Sequence, residues 1–247
     1  MIIKEHAFAD IATPTGAMRV HLFEPQAPGK YPGIVLYSEI YQITGPVRRM
    51  AAFMAGQGFV VSAPEVYHEY EAPGTVLLYD KPGTDRGNDL KFEKPVAAFD
   101  SDARAALDHL KAHPACSGKL GAMGICLGGH LAFRAGMNPD VGATACFYAT
   151  DIHDHQLGKG NCDNSLSRAG DIKGELMMIW GRQDPHIPFA GRRLIRDTLE
   201  EAGCDYTWHE VNGAHAFMRD EGLRYDPALA WHCYGLVTEL FKRRLTV

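Results

Sequence analysis

The sequence predicts an α/β fold in which a mostly parallel central sheet carries helices on both faces. Three observations lead there. Near-continuous apolar runs such as Gly33–Tyr37, Gly58–Ser62 and Gly174–Trp180 have the length and composition of strands buried on both sides. Stretches of roughly 10–18 residues with helical character separate such runs, the alternation that a parallel sheet requires of its connections. Finally, Gly124-Ile125-Cys126-Leu127-Gly128-Gly129 joins a small apolar strand, Lys119–Ile125, directly to a helix, Leu127–Met137. Glycine on both sides of one reactive residue at such a junction is the plan of a nucleophile elbow. The reactive residue is held in a strained conformation, and the glycines admit a close strand–helix approach.

Taken in order, two strands around Ile3–Phe8 and Ala17–Phe23 flank a turn at Thr13-Pro14-Thr15-Gly16. Gly33–Tyr37 ends at the polar break Ser38-Glu39-Ile40-Tyr41, where a loop begins. Pro46 opens a helix that runs to Gly56, and Gly58–Ser62 is the next strand. From Ala63 to Lys94 the chain is rich in Pro, Gly, Asp and Tyr with weak periodicity, a long loop of the kind that covers a site as a lid. Pro95–His113 is an amphipathic helix with Phe99, Ala103, Leu107 and Leu110 on one stripe. After the elbow come a strand at Gly142–Tyr148, a polar loop at Thr150–Asp171 and the strand Gly174–Trp180. A helix at Pro188–Ala202 is stopped by Gly203. Asp205–Val211 is the last strand, Asn212–Asp220 a loop, and Pro227–Arg243 the closing helix.

Length and composition bound the reading. A chain of 247 residues with this alternation is expected to form one domain, 1–247. A net charge of −5 argues against nucleic acid or an anionic membrane as the main partner. No apolar run approaches the roughly 20 residues needed to cross a bilayer, and no leader segment is recognised. The six cysteines are scattered without a Cys-x-x-Cys pair, which suits a reducing cytoplasm better than disulfides or a zinc site. His153-Asp154-His155 offers alternate histidines, but no third ligand is placed by spacing, so no metal and no cofactor are expected. The absence of heptads and the acidic surface fit a monomer or dimer.

Covalent acyl transfer needs a nucleophile, a base and an acid that orients the base. In one large α/β class these arrive in the order nucleophile, acid, histidine, each just beyond a strand. Cys126, Asp184 and His215 follow that order, beyond the strands ending at Ile125, Trp180 and Val211. Singly, each has a plainer role open to it: a cysteine as a small buried hydrophobe, an aspartate capping a turn before Pro185, a loop histidine. Their joint order is harder to reach by coincidence. The N-terminus of the helix at Leu127 carries unsatisfied N–H groups and partial positive charge, which suit a reactive thiolate. The Leu127 N–H is one candidate oxyanion donor, and the Ile40 N–H, in the loop after an earlier strand, is the other.

These residues resemble the dienelactone hydrolases (carboxymethylenebutenolidases), a family of the α/β-hydrolase fold. The elbow is similar to that family's G-x-C-x-G-G, and Glu39-Ile40-Tyr41 to its Q-E-I-F-G loop. Ala63-Pro64-Glu65-Val66-Tyr67 and Ala72-Pro73-Gly74 look like its lid stretch. Gly181–Pro188 resembles its acid loop, and Gly213–Arg219 its G-H-x-F-x-R. The resemblance spans about residues 19–242 and implies hydrolysis of a small, anionic lactone or ester. It implies that Glu39 holds the resting thiol and takes its proton, and that Arg219 anchors a substrate carboxylate. A second anchoring arginine is expected, with Arg86 the candidate, and Tyr41 and Phe217 are candidate pocket walls, beside Tyr67, Tyr70 and Tyr79. Three departures stand out: Gln42-Ile43 replaces a glycine after the aromatic, Glu65 stands where the family has Asp, and His68–Leu90 does not align cleanly. They bear on the substrate more than on the reaction. A broader carboxylesterase or thioesterase, and a non-catalytic binding protein on the same fold, are the rival readings.

Overall fold

The computed structural model describes residues 1–246. Eight strands form one sheet: β1 (Ile3–Thr13), β2 (Gly16–Pro25), β3 (Tyr31–Tyr37), β4 (Val60–Pro64), β5 (Cys116–Ile125), β6 (Val141–Phe147), β7 (Glu175–Gly181) and β8 (Tyr206–Val211). Their order across the sheet is β1-β2-β4-β3-β5-β6-β7-β8. β1 and β2 form an antiparallel hairpin that joins β4 antiparallel, and the six strands from β4 to β8 run parallel.

The helices are α1 (Gly45–Gly56), α2 (Lys81–Glu93), α3 (Val96–Ala112), α4 (Leu127–Ala135), α5 (Phe189–Glu201) and α6 (Pro227–Leu245). α3 and α4 pack together on one face of the sheet. α1 and α6 meet on the other through Phe53 and Tyr234, whose rings lie 4.3 Å apart. The parallel strands are apolar because both faces are covered. Ile34, Val35 and Leu36 of β3 and Ala122, Met123 and Ile125 of β5 are fully buried. Each large side chain so placed is worth about 1.5–3 kcal/mol of transfer free energy.

Two expectations change. The hairpin is longer than Ile3–Phe8 with Ala17–Phe23, since Thr13 pairs with Gly16 and Ile3 with Pro25. The span 63–94 is not one structureless lid: its second half is the helix α2. α2 hid because it buries Gly83, Gly87, Leu90 and Lys91 rather than an apolar stripe, leaving no helical period to see. Its cap signals were nonetheless present. The Asp80 side chain accepts from the Gly83 N–H at 2.8 Å, and Pro82 sits in the first turn, where its missing N–H costs nothing.

Candidate active site

Cys126 joins β5 to α4 with φ +57° and ψ −123°, a conformation unfavourable for any residue with a Cβ. The surroundings enforce it. A Cβ on Gly128 would strike the carbonyls of Tyr37 and Ser38, one on Gly124 the carbonyl of Gly128, and one on Gly129 would lie 2.8 Å from the Phe147 oxygen. The Cys126 N–H donates to the Phe147 carbonyl at 3.1 Å, and the Cys126 carbonyl accepts from Gly129 at 3.0 Å and Thr150 at 3.3 Å. Cys126 is therefore fixed by backbone and half-buried, at the edge of a cavity of about 370 Å³.

Asp184 follows β7 and His215 follows β8. The Asp184 Oδ2 accepts from His215 Nδ1 at 2.7 Å, while Oδ1 accepts from the His186 backbone N–H at 2.8 Å. With Nδ1 committed to the carboxylate, Nε2 of His215 is left for other work. Both side chains are almost wholly buried, and the edge of His215 meets the rings of Tyr148 at 5.1 Å and His186 at 4.5 Å. Burial opposes a charged imidazole here. The Cys126 sulfur, by charge and hydrogen bond, and the Asp184 carboxylate outweigh it and push His215 up to about 10. Cys126 and His215 line the same cavity.

Glu39 lies in the loop after β3 and is 2% exposed. Burial raises its carboxyl above the ordinary value, against the opposing pull of Arg219, His215, Tyr79 and Arg224. Tyr79 O–H donates to Glu39 Oε2 at 3.1 Å, and Arg219 Nη1 stands 3.7 Å from Oε1. The Arg219 guanidinium also lies over the Tyr79 ring at 4.3 Å, and its buried Nε has no hydrogen-bond partner. Ile40 and Tyr41 line the same cavity. Leu127 is the first residue of α4, where no carbonyl of its own helix can reach its N–H.

Two of the expected substrate residues lie elsewhere. Arg86 points away from the cavity and pairs at 2.7 Å with Glu71 on the surface. Alternation along a helix decides this: Thr84, Asn88 and Lys91 share the cavity face, and residue 86 is not on it. Phe217 is fully buried against Tyr148, ring centres 5.2 Å apart, and supports the core behind His215 rather than walling the cavity. Tyr67 is likewise buried, its hydroxyl donating to the Gly87 carbonyl.

Sequence reading missed Arg224, which lines the cavity, and Tyr79's bond to Glu39. The first sits in a loop and the second in a stretch without period, so neither carried a signal. Among the described residues two groups have ligand atoms close enough for a metal: Asp184, His186 and His215; and His68, Glu69 and Asp102. Neither contains His153 or His155. In the second, the buried Lys94 ammonium already holds Glu69 and Asp102 and fills the role of the cation.

Residues 18–245 match the model of the dienelactone hydrolase family. A Saccharomyces cerevisiae protein described as "Putative carboxymethylenebutenolidase" is 43% identical over 259 residues, covering 100% of this chain and 94% of its own. The carboxymethylenebutenolidase of Pseudomonas putida is 27% identical over 207 residues, 81% of each chain. Among solved structures, a "Putative Dienelactone Hydrolase" from Klebsiella pneumoniae superposes with a TM-score of 0.85 at 20% identity, over 98% of this chain and 99% of that one. The acylaminoacyl peptidase of Pyrococcus horikoshii gives 0.75 at 15% identity, over 99% of this chain and 42% of its own. At such identities the two structures speak for the α/β-hydrolase fold alone.

Proposed function

The chain belongs to the dienelactone hydrolase family, hydrolases of small lactones and esters, and we propose that it works through a thioester on Cys126 with an anionic substrate. The observation that supports this reading is the meeting of three groups: a thiol held at a strained bend, an imidazole lining the same cavity, and a carboxylate 2.7 Å from that imidazole.

The Cys126 sulfur attacks the carbonyl carbon while its proton passes to His215. Glu39, whose buried carboxylate binds a proton more readily than one in water, is the second group able to take it. The oxyanion that forms is met by the N–H groups of Leu127 and Ile40, a contribution of about 3–4 kcal/mol per donor in comparable sites. Collapse breaks the carbon–oxygen bond, and the leaving oxygen takes the proton from His215. In the thioester the sulfur has no negative charge, so the main cause of His215's high proton affinity is gone. The neutral imidazole, oriented by Asp184, then takes a proton from water, hydroxide attacks the thioester, and the sulfur leaves. Arg219, with an unpartnered buried N–H, and Arg224, which lines the cavity, suit an anionic substrate group.

Cys126→Ala is the direct test: hydrolysis of an activated ester falls to the uncatalysed rate and no acyl adduct forms on the intact protein. Persistent turnover in that variant would refute the assignment. Arg219→Ala separates an anion-selective enzyme from a broad carboxylesterase. A rate loss confined to anionic esters supports the first, and an equal loss for neutral and anionic esters supports the second.

A further inference from the structure

Cys126 leaves the end of β5, and the strand order places the loop after β3 on one side of it and the loop after β6 on the other. These two flanks of the cavity differ in chemistry. The β3 flank carries Glu39 and Tyr41, with Arg219 3.7 Å from the Glu39 carboxylate, and Arg224 lines the same cavity. The β6 flank carries Thr150, Asp151 and Asp154.

α2 bridges the two. Near its start, the Tyr41 and Thr84 hydroxyls are 2.9 Å apart, and Gly87 lies so close that a Cβ would come within 2.5 Å of the Ile40 carbonyl. At its end, Lys91 Nζ donates to Asp151 at 2.9 and 3.1 Å, and the Lys91 carbonyl accepts from the Gly158 N–H at 3.2 Å. Thr84, Asn88 and Lys91, at spacings of four and three, form one face of α2 and line the cavity.

The charges of the β6 flank are largely spent on each other. Lys91 neutralises Asp151, and the Thr150 hydroxyl also donates to Asp151, at 2.8 Å. Asp154 is left without a cation closer than the His153 ring at 4.0 Å. Among the described residues, the Asn88 amide makes no hydrogen bond to protein. An amide offers both donors and an acceptor, and a lone carboxylate offers acceptors only. A second anion bound here would meet Asp154, with Lys91 already committed to Asp151. A hydroxyl group, which donates and accepts at once, satisfies both residues.

We propose that the β6 flank is a subsite for an uncharged, hydroxyl-bearing part of the substrate, with Asn88 and Asp154 as its hydrogen-bonding groups. The substrate is then a monoanion whose charge lies toward Arg219 and whose hydroxyl groups lie across Cys126 from it. This rests on the ester-hydrolase reading above and narrows it.

The test uses three hemisuccinate esters of matched length, of glycerol, of propan-1-ol and of 3-hydroxypropanoate, with kcat/KM read from acid release. The glyceryl ester exceeds the propyl ester by about tenfold, the yield of one or two hydrogen bonds that the propyl chain cannot make. The ester bearing the second carboxylate falls below both. Asn88→Leu brings the glyceryl-to-propyl ratio toward one, and Asp154→Asn raises the dianionic ester relative to the propyl one. A wild-type ratio near one, or a tenfold ratio that Asn88→Leu leaves in place, overturns the subsite while cleavage of the propyl ester leaves the hydrolase reading standing. Failure to cleave all three, and 4-nitrophenyl acetate as well, overturns the hydrolase reading and the subsite with it.

Discussion

Around Cys126 the chain is positioned by its own backbone, with glycines at 124, 128 and 129 pressed against carbonyls of β3, α4 and β6. Across the cavity, α2 and the segment leading to it are positioned by side chains drawn from far away in the sequence. Lys94, fully buried, donates to the Val66 carbonyl at 2.8 Å, to Glu69 at 2.8 Å and to Asp102. Gln42, itself in a left-handed conformation at φ +65°, accepts from the Tyr67 N–H at 3.3 Å and donates to the Thr75 carbonyl. The difference teaches that the bend at Cys126 is fixed by backbone sterics, whereas the far side of the cavity is fixed by polar contacts that can be exchanged one at a time.

The largest effect is expected at the elbow. Gly128→Ala sets a Cβ against two rigid carbonyls and costs about 3 kcal/mol or more, with activity lost alongside. Denaturant unfolding and an ester assay check both, and a stable, active variant would break the contrast at its stronger end. Next comes the roof. Lys94→Met leaves Asp102 and Glu69 buried without their cation, a loss of about 3 kcal/mol, since removing one partner strands the other. Hydrogen exchange localised to residues 65–93 would show the roof loosening ahead of the sheet.

A third prediction concerns pH. His215 binds its proton more tightly folded than unfolded, up to about 10 from 6.5, so its contribution is complete below about 6.5 and fades as pH rises toward 10. Unfolding free energies at rising pH should show that decline in the wild type and a flatter course in His215→Gln. Equal slopes in the two proteins would mean that the imidazole is not held by its partners. The smallest effect is Arg86→Ala. Its exposed pair with Glu71 is worth less than about 1 kcal/mol, and the ratio of anionic to neutral ester hydrolysis is unchanged in the variant. A lost preference there would move the anion site onto the outer face of α2.

Much of this was legible in the chain itself. Strands buried on both faces announce themselves by unbroken apolar runs, and the elbow by glycines whose spacing only a tight strand–helix turn requires. Cys126, Asp184 and His215 could be ordered because each stands just after such a strand. α2 was not legible, since a helix buried through two glycines, one leucine and a lysine leaves no apolar period. Arg86 was misplaced for the same reason: with no helix recognised there, nothing indicated which of its residues share a face. Phe217, a candidate wall as an aromatic, packs against Tyr148 in the core instead.

The sequence by itself therefore determined the buried strands, the bend at residue 126 and the order of the three groups following those strands, because apolar runs and clustered glycines are visible along the chain. Only the tertiary structure decided that Tyr79 reaches Glu39, that Lys91 meets Asp151, and that Arg224 and Asn88 open on the same cavity. Those contacts join residues separated by 40 and 60 positions in the first two cases, and a hydrogen bond over such a span leaves no periodic trace in the chain.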